Sequence, residues 1–255
     1  MLGVVVAFRD EVNDYLKSGD FRVVTEDERL RFFRSNADND VVVVVGAIGK
    51  EWAQEATSQL VKVYRPDLIV SAGFAGGAKE GQKTGDLFLC DRLMSVEGPA
   101  ALWGPDQANE IVLSGSAIVT KILEDERKGI YGGYEFGGCL SVPQMISNAS
   151  MKKWIGENFP VSVIDMESYW VSDALSEFNI PHLVVRCVLD PINQTLPSFV
   201  GEAVHGNAGR MWSNAVRHIA KNPKEMPRLI HLASQAKTAR ASLSGFLASI
   251  ISSAL

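Results

Sequence analysis

Apolar and polar residues follow two periods along this chain, and the switches between them lay out its elements. Gly3-Val-Val-Val-Ala7 and Asp40-Val-Val-Val-Val-Val-Gly46 are unbroken apolar runs, the pattern of strands buried on both faces. Leu68–Ser71, Gly85–Cys90, Gly138–Ser141, a short run ending before Met166, and Leu183–Asp190 predict further strands. Helical spacing marks Asp10–Lys17, Ser116–Lys128, Ser150–Asn158 and Ser168–Asn179, and also a stretch opening at Lys50 that Pro66 ends after Tyr64. Residues 97–110, with Pro99, Trp103 and Pro105, predict a loop, and Thr195–Gly209 a mobile loop or lid. No linker or repeat divides the chain. The alternation predicts one α/β domain over residues 1–255, three-layered, with a central mixed, largely parallel twisted sheet flanked by helices. Residues 222–255 form a helical extension in this reading. Leu229, Leu232, Ala236, Leu243, Phe246, Leu247 and Ile250 give it one or two amphipathic helices, packed on the domain, on a second subunit or against a lipid surface.

Composition narrows the function classes. The chain has 255 residues, enough for a substantial core, and its net charge of −5 argues against a nucleic-acid partner, which needs a basic field. Cys90, Cys139 and Cys187 are odd in number and set among apolar residues, as in a reducing, cytoplasmic compartment. The four histidines fall into no metal-binding spacing, so neither a metal nor a cofactor is expected. Leu2–Phe8 lacks a basic flank before it and is cut short by Arg9-Asp10-Glu11, unlike a signal peptide. No run approaches the roughly 20 apolar residues of a membrane span.

The candidate chemistry concentrates in Val163–Asp190. A strand ends at Met166-Glu167, a helix follows, and a second strand carries charge only at Arg186 and Asp190. Ligands of parallel α/β sheets sit at the carboxyl ends of strands, which places Glu167 and Asp190 at one rim. A third rim element, Ser71-Ala-Gly73-Phe-Ala-Gly-Gly77, reads as a glycine-rich strand-to-loop turn that lets a ligand approach the backbone. Its spacing is neither the dinucleotide fingerprint nor a P-loop, which weakens an NAD-dependent oxidoreductase reading.

Taken in chain order, Val-Ala-Phe-Arg-Asp-Glu11, Gly-Ala-Ile-Gly49-Lys50, Ser71–Gly77, Gly85-Asp86, Met166-Glu167 and Arg186-x-x-x-Asp190 resemble the nucleoside phosphorylase superfamily, most closely its methylthioadenosine/S-adenosylhomocysteine nucleosidase type. The resemblance spans roughly residues 1–220. Beyond it, Arg228-Leu-Ile-His-Leu-Ala is similar to the hopanoid-biosynthesis-associated branch, which acts on adenosylhopane. The resemblance implies cleavage of the N-glycosidic bond of a purine nucleoside by a homo-oligomeric enzyme. It gives Glu11 the positioning of the attacking water and Asp190 the protonation of purine N7. Met166 and Glu167 pack under the ribose and accept its hydroxyls, while Arg186 and Ser71, with the Gly73 turn, lie near the water or anion pocket. Leu189 stands where the resemblance expects a serine, and Met145-Ile146 where it expects an aromatic to stack on the base.

Each residue also has a plain structural reading. Glu11 suits the first turn of a helix, Glu167 a helix start, and Asp190 before Pro191 a turn. Arg186 resists one, because an unpaired buried charge is costly. Two further functions stay open. The first is phosphorolysis, which Glu11 disfavours by repelling phosphate. The second is nucleoside binding without catalysis, against which Glu11 and Asp190 together argue.

Overall fold

The computed structural model describes residues 1–26, 30–36, 40–113, 133–196 and 226–254. The helix expected at Ser116–Lys128 and nearly all of the lid expected at Thr195–Gly209 lie outside them. The chain opens with strand β1 (Leu2–Val6), helix α1 (Arg9–Ser18), strands β2 (Phe21–Glu26), β3 (Arg31–Ser35) and β4 (Val41–Val45), and helix α2 (Lys50–Tyr64). Then come β5 (Leu68–Gly77), β6 (Leu87–Ser95), β7 (Asn109–Val112), β8 (Glu135–Ser141), α3 (Ala149–Asn158), β9 (Val163–Asp165), α4 (Ser168–Leu175), β10 (His182–Asp190) and α5 (Met226–Ala254).

All ten strands belong to one mixed sheet. At its centre β4, β1, β5 and β10 run parallel, while β3 and β2 extend the β4 side antiparallel. At the other end the sheet closes on itself. β10 pairs with β6, β6 with β8, β8 with β9, and β9 returns antiparallel to the end of β5 at Gly76 and Gly77.

Both faces are covered, which is why the β1 and β4 runs are apolar at every position. Val4, Val6, Val43 and Val70 face a core shared with Val12, Tyr15 and Leu16 of α1 and with Leu243, Phe246, Leu247 and Ile250 of α5. Val5, Val42, Val44 and Ile69 face the other core, under Ala56 and Leu60 of α2 and Val171 and Leu175 of α4. This is the three-layer arrangement that the alternation predicts. A third apolar cluster gathers Ile155 of α3, Leu140, Trp103 and Phe159.

Several boundaries differ from expectation for local reasons. α2 matches its predicted span, ended by Arg65 in the left-handed conformation just before Pro66. α4 stops at Leu175, four residues early, and Asn179 takes a positive φ of 52° in the turn beyond. The Ser71–Gly77 segment is not a loop: β5 continues as strand through Gly77, because β10 and then β9 pair with it. The 97–110 region holds two short 3-10 turns and the first residues of β7. α5 is a single helix whose Arg240 meets Asp14 of α1 at 3.1 Å, and Leu243, Phe246, Leu247 and Ile250 of the extension's apolar stripe lie in the domain core, while Leu229, Leu232 and Ala236 are half-buried outside it. No helix among the described residues is long and apolar enough to cross a membrane.

Candidate active site

The parallel strands β1, β4, β5 and β10 bring their carboxyl halves to one side, and a narrow cleft opens there. Its lining includes Ala7, Glu11, Gly46, Ser71, Gly73 and Arg186, closed by Trp52 of α2 and by Glu167 and Val171 at the start of α4. Five of the residues singled out in the sequence therefore meet at one place: Glu11, Ser71, Gly73, Glu167 and Arg186.

Glu11 sits in the first turn of α1, as the plain reading expects, and its Oε2 accepts from the Phe8 amide at 2.9 Å and the Ala7 amide at 3.1 Å. Its Oε1 reaches out of the helix to accept from the Phe74 amide of β5 at 2.8 Å. Three amides thus fix a carboxyl that is only 3% exposed. Burial pushes it up to about 7, against the pull of those amides and of the Arg186 charge. A group poised there can accept a proton near neutrality.

Glu167 lies just past the carboxyl end of β9, as its sequence suggested; β9 runs parallel to β8 and antiparallel to β5. It precedes α4 as its N-terminal flanking residue. Its Oε1 accepts from the Gly49 amide at 2.9 Å, where the Gly-Ala-Ile-Gly turn enters α2. Burial and the neighbouring Asp165 charge push its carboxyl up to about 8. That raised affinity brings its proton equilibrium toward neutrality, and the carboxyl oxygens remain acceptors for hydroxyl donors.

Arg186, 2% exposed, points its donors into the protein. Nε donates to Asp165 Oδ2 at 2.6 Å, Nη2 to Ser71 Oγ at 2.9 Å, and Nη1 to the carbonyls of Ser71 and Val185 at 3.1 and 2.9 Å. Asp165 is the partner that the sequence pattern did not single out. Burial opposes its charge, but Arg186 and the hydroxyls of Ser141 and Ser168 hold it below the usual carboxylate range. The same buried pairing holds Arg186 above its ordinary value against desolvation. The signal was present: an arginine inside an apolar strand requires a carboxylate, and Asp165 ends the strand immediately before Met166.

Asp190 lies apart from that lining, further along β10, where it pairs with Gly76 of β5. From the Gly73–Arg186 pair this is a distance on the order of 10 Å along the strand. Asp190 is 4% exposed, and Lys152 of α3, fully buried, donates to its Oδ2 at 2.7 Å. Burial raises Asp190 to about 6, with Lys152 pulling the other way. Lys152 was missed because it reads as one of two exposed helix lysines. Met166 and Ile146 pack on the third apolar cluster outside the cleft lining, and Met145 is half-buried beside Ile146. Among the described residues no three His, Cys, Asp or Glu side chains converge as a metal cage.

Known proteins resemble this chain in sequence and fold. A family model described as the phosphorylase superfamily matches residues 1–221. The 5'-methylthioadenosine/S-adenosylhomocysteine nucleosidase of Listeria welshimeri is 26% identical over 178 residues, covering 66% of this chain and 76% of that protein. That of Staphylococcus carnosus is 24% identical over 225 residues, covering 82% and 96%. Among solved structures, the Neisseria meningitidis nucleosidase of the same name, in complex with methylthio-immucillin-A, superposes with a TM-score of 0.70 at 18% identity, covering 98% of this chain and 97% of that one. The futalosine hydrolase of Helicobacter pylori gives 0.72 at 17% identity, with the same coverage.

Proposed function

The chain belongs to the phosphorylase superfamily, and from that premise we propose that it hydrolyses the N-glycosidic bond of a 5'-substituted adenine nucleoside, releasing adenine and the free sugar. The observation that carries water rather than phosphate is the state of the cleft's arginine. Arg186 is bound to Asp165 and Ser71, while the carboxyls of Glu11 and Glu167 line the same space. A phosphate dianion placed there would face acid groups with no free guanidinium among the described lining residues.

In this reading Glu11 accepts the proton of the attacking water, held in place by its three amide donors. Glu167 meets the ribose hydroxyls and accepts their hydrogen bonds. Asp190 protonates N7, so the purine leaves as a neutral base. Met166 and Ile146 supply apolar surface beside sugar and base. The nucleosidase and futalosine hydrolase relatives make methylthioadenosine, S-adenosylhomocysteine and futalosine the first compounds to try, with adenosine bearing a large lipid 5' group beside them.

The test is release of base from this panel in phosphate-free buffer, with nucleoside binding measured in parallel. The free purine base that each nucleoside carries, adenine from the adenosine compounds, together with a reducing sugar is the expected product. Turnover that needs phosphate and yields ribose 1-phosphate would overturn the hydrolytic reading, and binding without base release would overturn catalysis. Glu11→Gln should lower turnover by about 100-fold or more while nucleoside binding persists. Unchanged turnover would remove Glu11 from the mechanism.

A further inference from the structure

Lys152 is a fully buried lysine whose ammonium has three partners: Asp190 Oδ2 at 2.7 Å, the Pro191 carbonyl at 2.7 Å and the Asp190 carbonyl at 3.4 Å. It comes from α3, an element that contributes nothing to the cleft lining. A buried pair of this kind is weak grounds for stability, since the desolvation of both charges offsets much of their attraction. Its position is more telling, because it grips one oxygen of the carboxyl that the proposed reaction needs as an acid.

We infer that Lys152 is a positioning residue for Asp190: it holds the carboxyl by Oδ2, leaves Oδ1 to meet the leaving base, and sets the conditions under which that carboxyl carries its proton. The inference rests on the glycosidic-cleavage reading for its chemical meaning. When Asp190 acts as acid, its O–H bond breaks as the N–H bond to purine N7 forms, and the carboxylate left behind faces the ammonium. The ion pair is therefore the state after transfer, and Lys152 favours giving the proton up.

The charge around Asp190 is simple. Among the described residues Lys152 is the one charged group that bears on it. β5 presents Gly76 there, β6 is preceded by Asp86, which acts on Cys187, and α5 directs Gln235 to Gln194 and Arg240 to Asp14. Removing Lys152 takes away the influence that lowers the acid's affinity for its proton. An acid active when protonated loses activity as pH rises through its titration, so without Lys152 the alkaline limb of the rate profile moves to higher pH.

The experiment compares the full-length protein with Lys152→Met, Lys152→Gln and Lys152→Arg by two readouts. The first is carboxyl carbon NMR of Asp190 in the unliganded protein, and the second is the pH profile of kcat/KM for base release. Without the lysine charge the Asp190 midpoint should rise by about one pH unit or more, carrying the alkaline limb with it. Loss of the fixed carboxyl should lower kcat by about tenfold or more, with partial recovery in Lys152→Arg. Should Lys152→Met fail to fold, Lys152→Gln keeps a donor on Oδ2 and removes only the charge. An unmoved Asp190 midpoint overturns the inference, as does a moved midpoint with an unmoved limb. If the unaltered protein releases no base, the functional reading fails by itself, and the NMR titration still decides whether Lys152 governs Asp190.

Discussion

Arg186 is the residue on which the cleft is assembled. Its guanidinium ties β10 to the backbone and hydroxyl of Ser71 on β5 and to Asp165 at the end of β9, and its charge lies close enough to Glu11 to lower that carboxyl. Breaking such a pair from one side leaves an uncompensated buried charge. Asp165→Asn should therefore destabilise the fold by about 3–5 kcal/mol in denaturant unfolding. Removing both charges with Asp165→Asn and Arg186→Met together should cost less than the sum of the single changes. Additive losses, or a single loss under about 1 kcal/mol, would show that the pair is not coupled. At this scale much of the site was legible in sequence. Glu11, Glu167 and Arg186 declare themselves by type and by chain order. Asp165 and Lys152 did not, because each is explained only by a partner 21 or 38 residues away.

Among the elements, β5 decides the site's geometry, and it is where the sequence misled. A glycine-rich run after an apolar strand suggests a turn, yet those glycines are strand residues made small so that side chains from elsewhere can reach across them. A Cβ on Gly73 would come within 3.0 Å of Glu11 Oε1 and 3.6 Å of Arg186 Nη1. A Cβ on Gly76 would meet Lys152 Cδ at 3.5 Å and the Asp190 oxygens at 3.7 Å, ordinary contact distances. Gly73→Ala should then displace Glu11 and lower kcat by about tenfold or more, since small misplacements of a reacting group are costly. Gly76→Ala should leave kcat close to that of the unaltered protein. Steady-state kinetics on the two variants checks the contrast, and greater damage at Gly76 would contradict it. Pairing of this kind is set by β9 and β10 closing on β5, a long-range choice that local periodicity does not record.

For the whole molecule, the site's acids set how folding responds to pH. Glu11 at about 7, Glu167 at about 8 and Asp190 at about 6 all lie above the ordinary 4.5, 4.5 and 3.8 of the unfolded chain. The folded state therefore binds more protons than the unfolded state across that interval, and its stability falls as pH rises through it. A carboxyl that holds its proton tenfold more tightly in the fold than in the unfolded chain accounts for about 1.4 kcal/mol of that fall. Asp165, held low by Arg186, works in the opposite sense only at more acidic pH, and His182, lowered by burial, opposes the trend only below its ordinary value of 6.5. The thermal midpoint should accordingly decline from about pH 5 to about pH 8, and continue to fall at more alkaline pH as Cys139, Cys187 and Tyr15, held protonated by burial in the fold, ionise in the unfolded chain. Glu167→Gln, which cannot ionise, should flatten the upper part of that decline. Thermal unfolding across the range tests this, and a midpoint constant or rising from pH 5 to 8 would mean that these carboxyls ionise in the fold as freely as in water. The same desolvation that readies Glu11 and Asp190 for proton transfer near neutrality thus lowers the stability of the fold in the range where they would act.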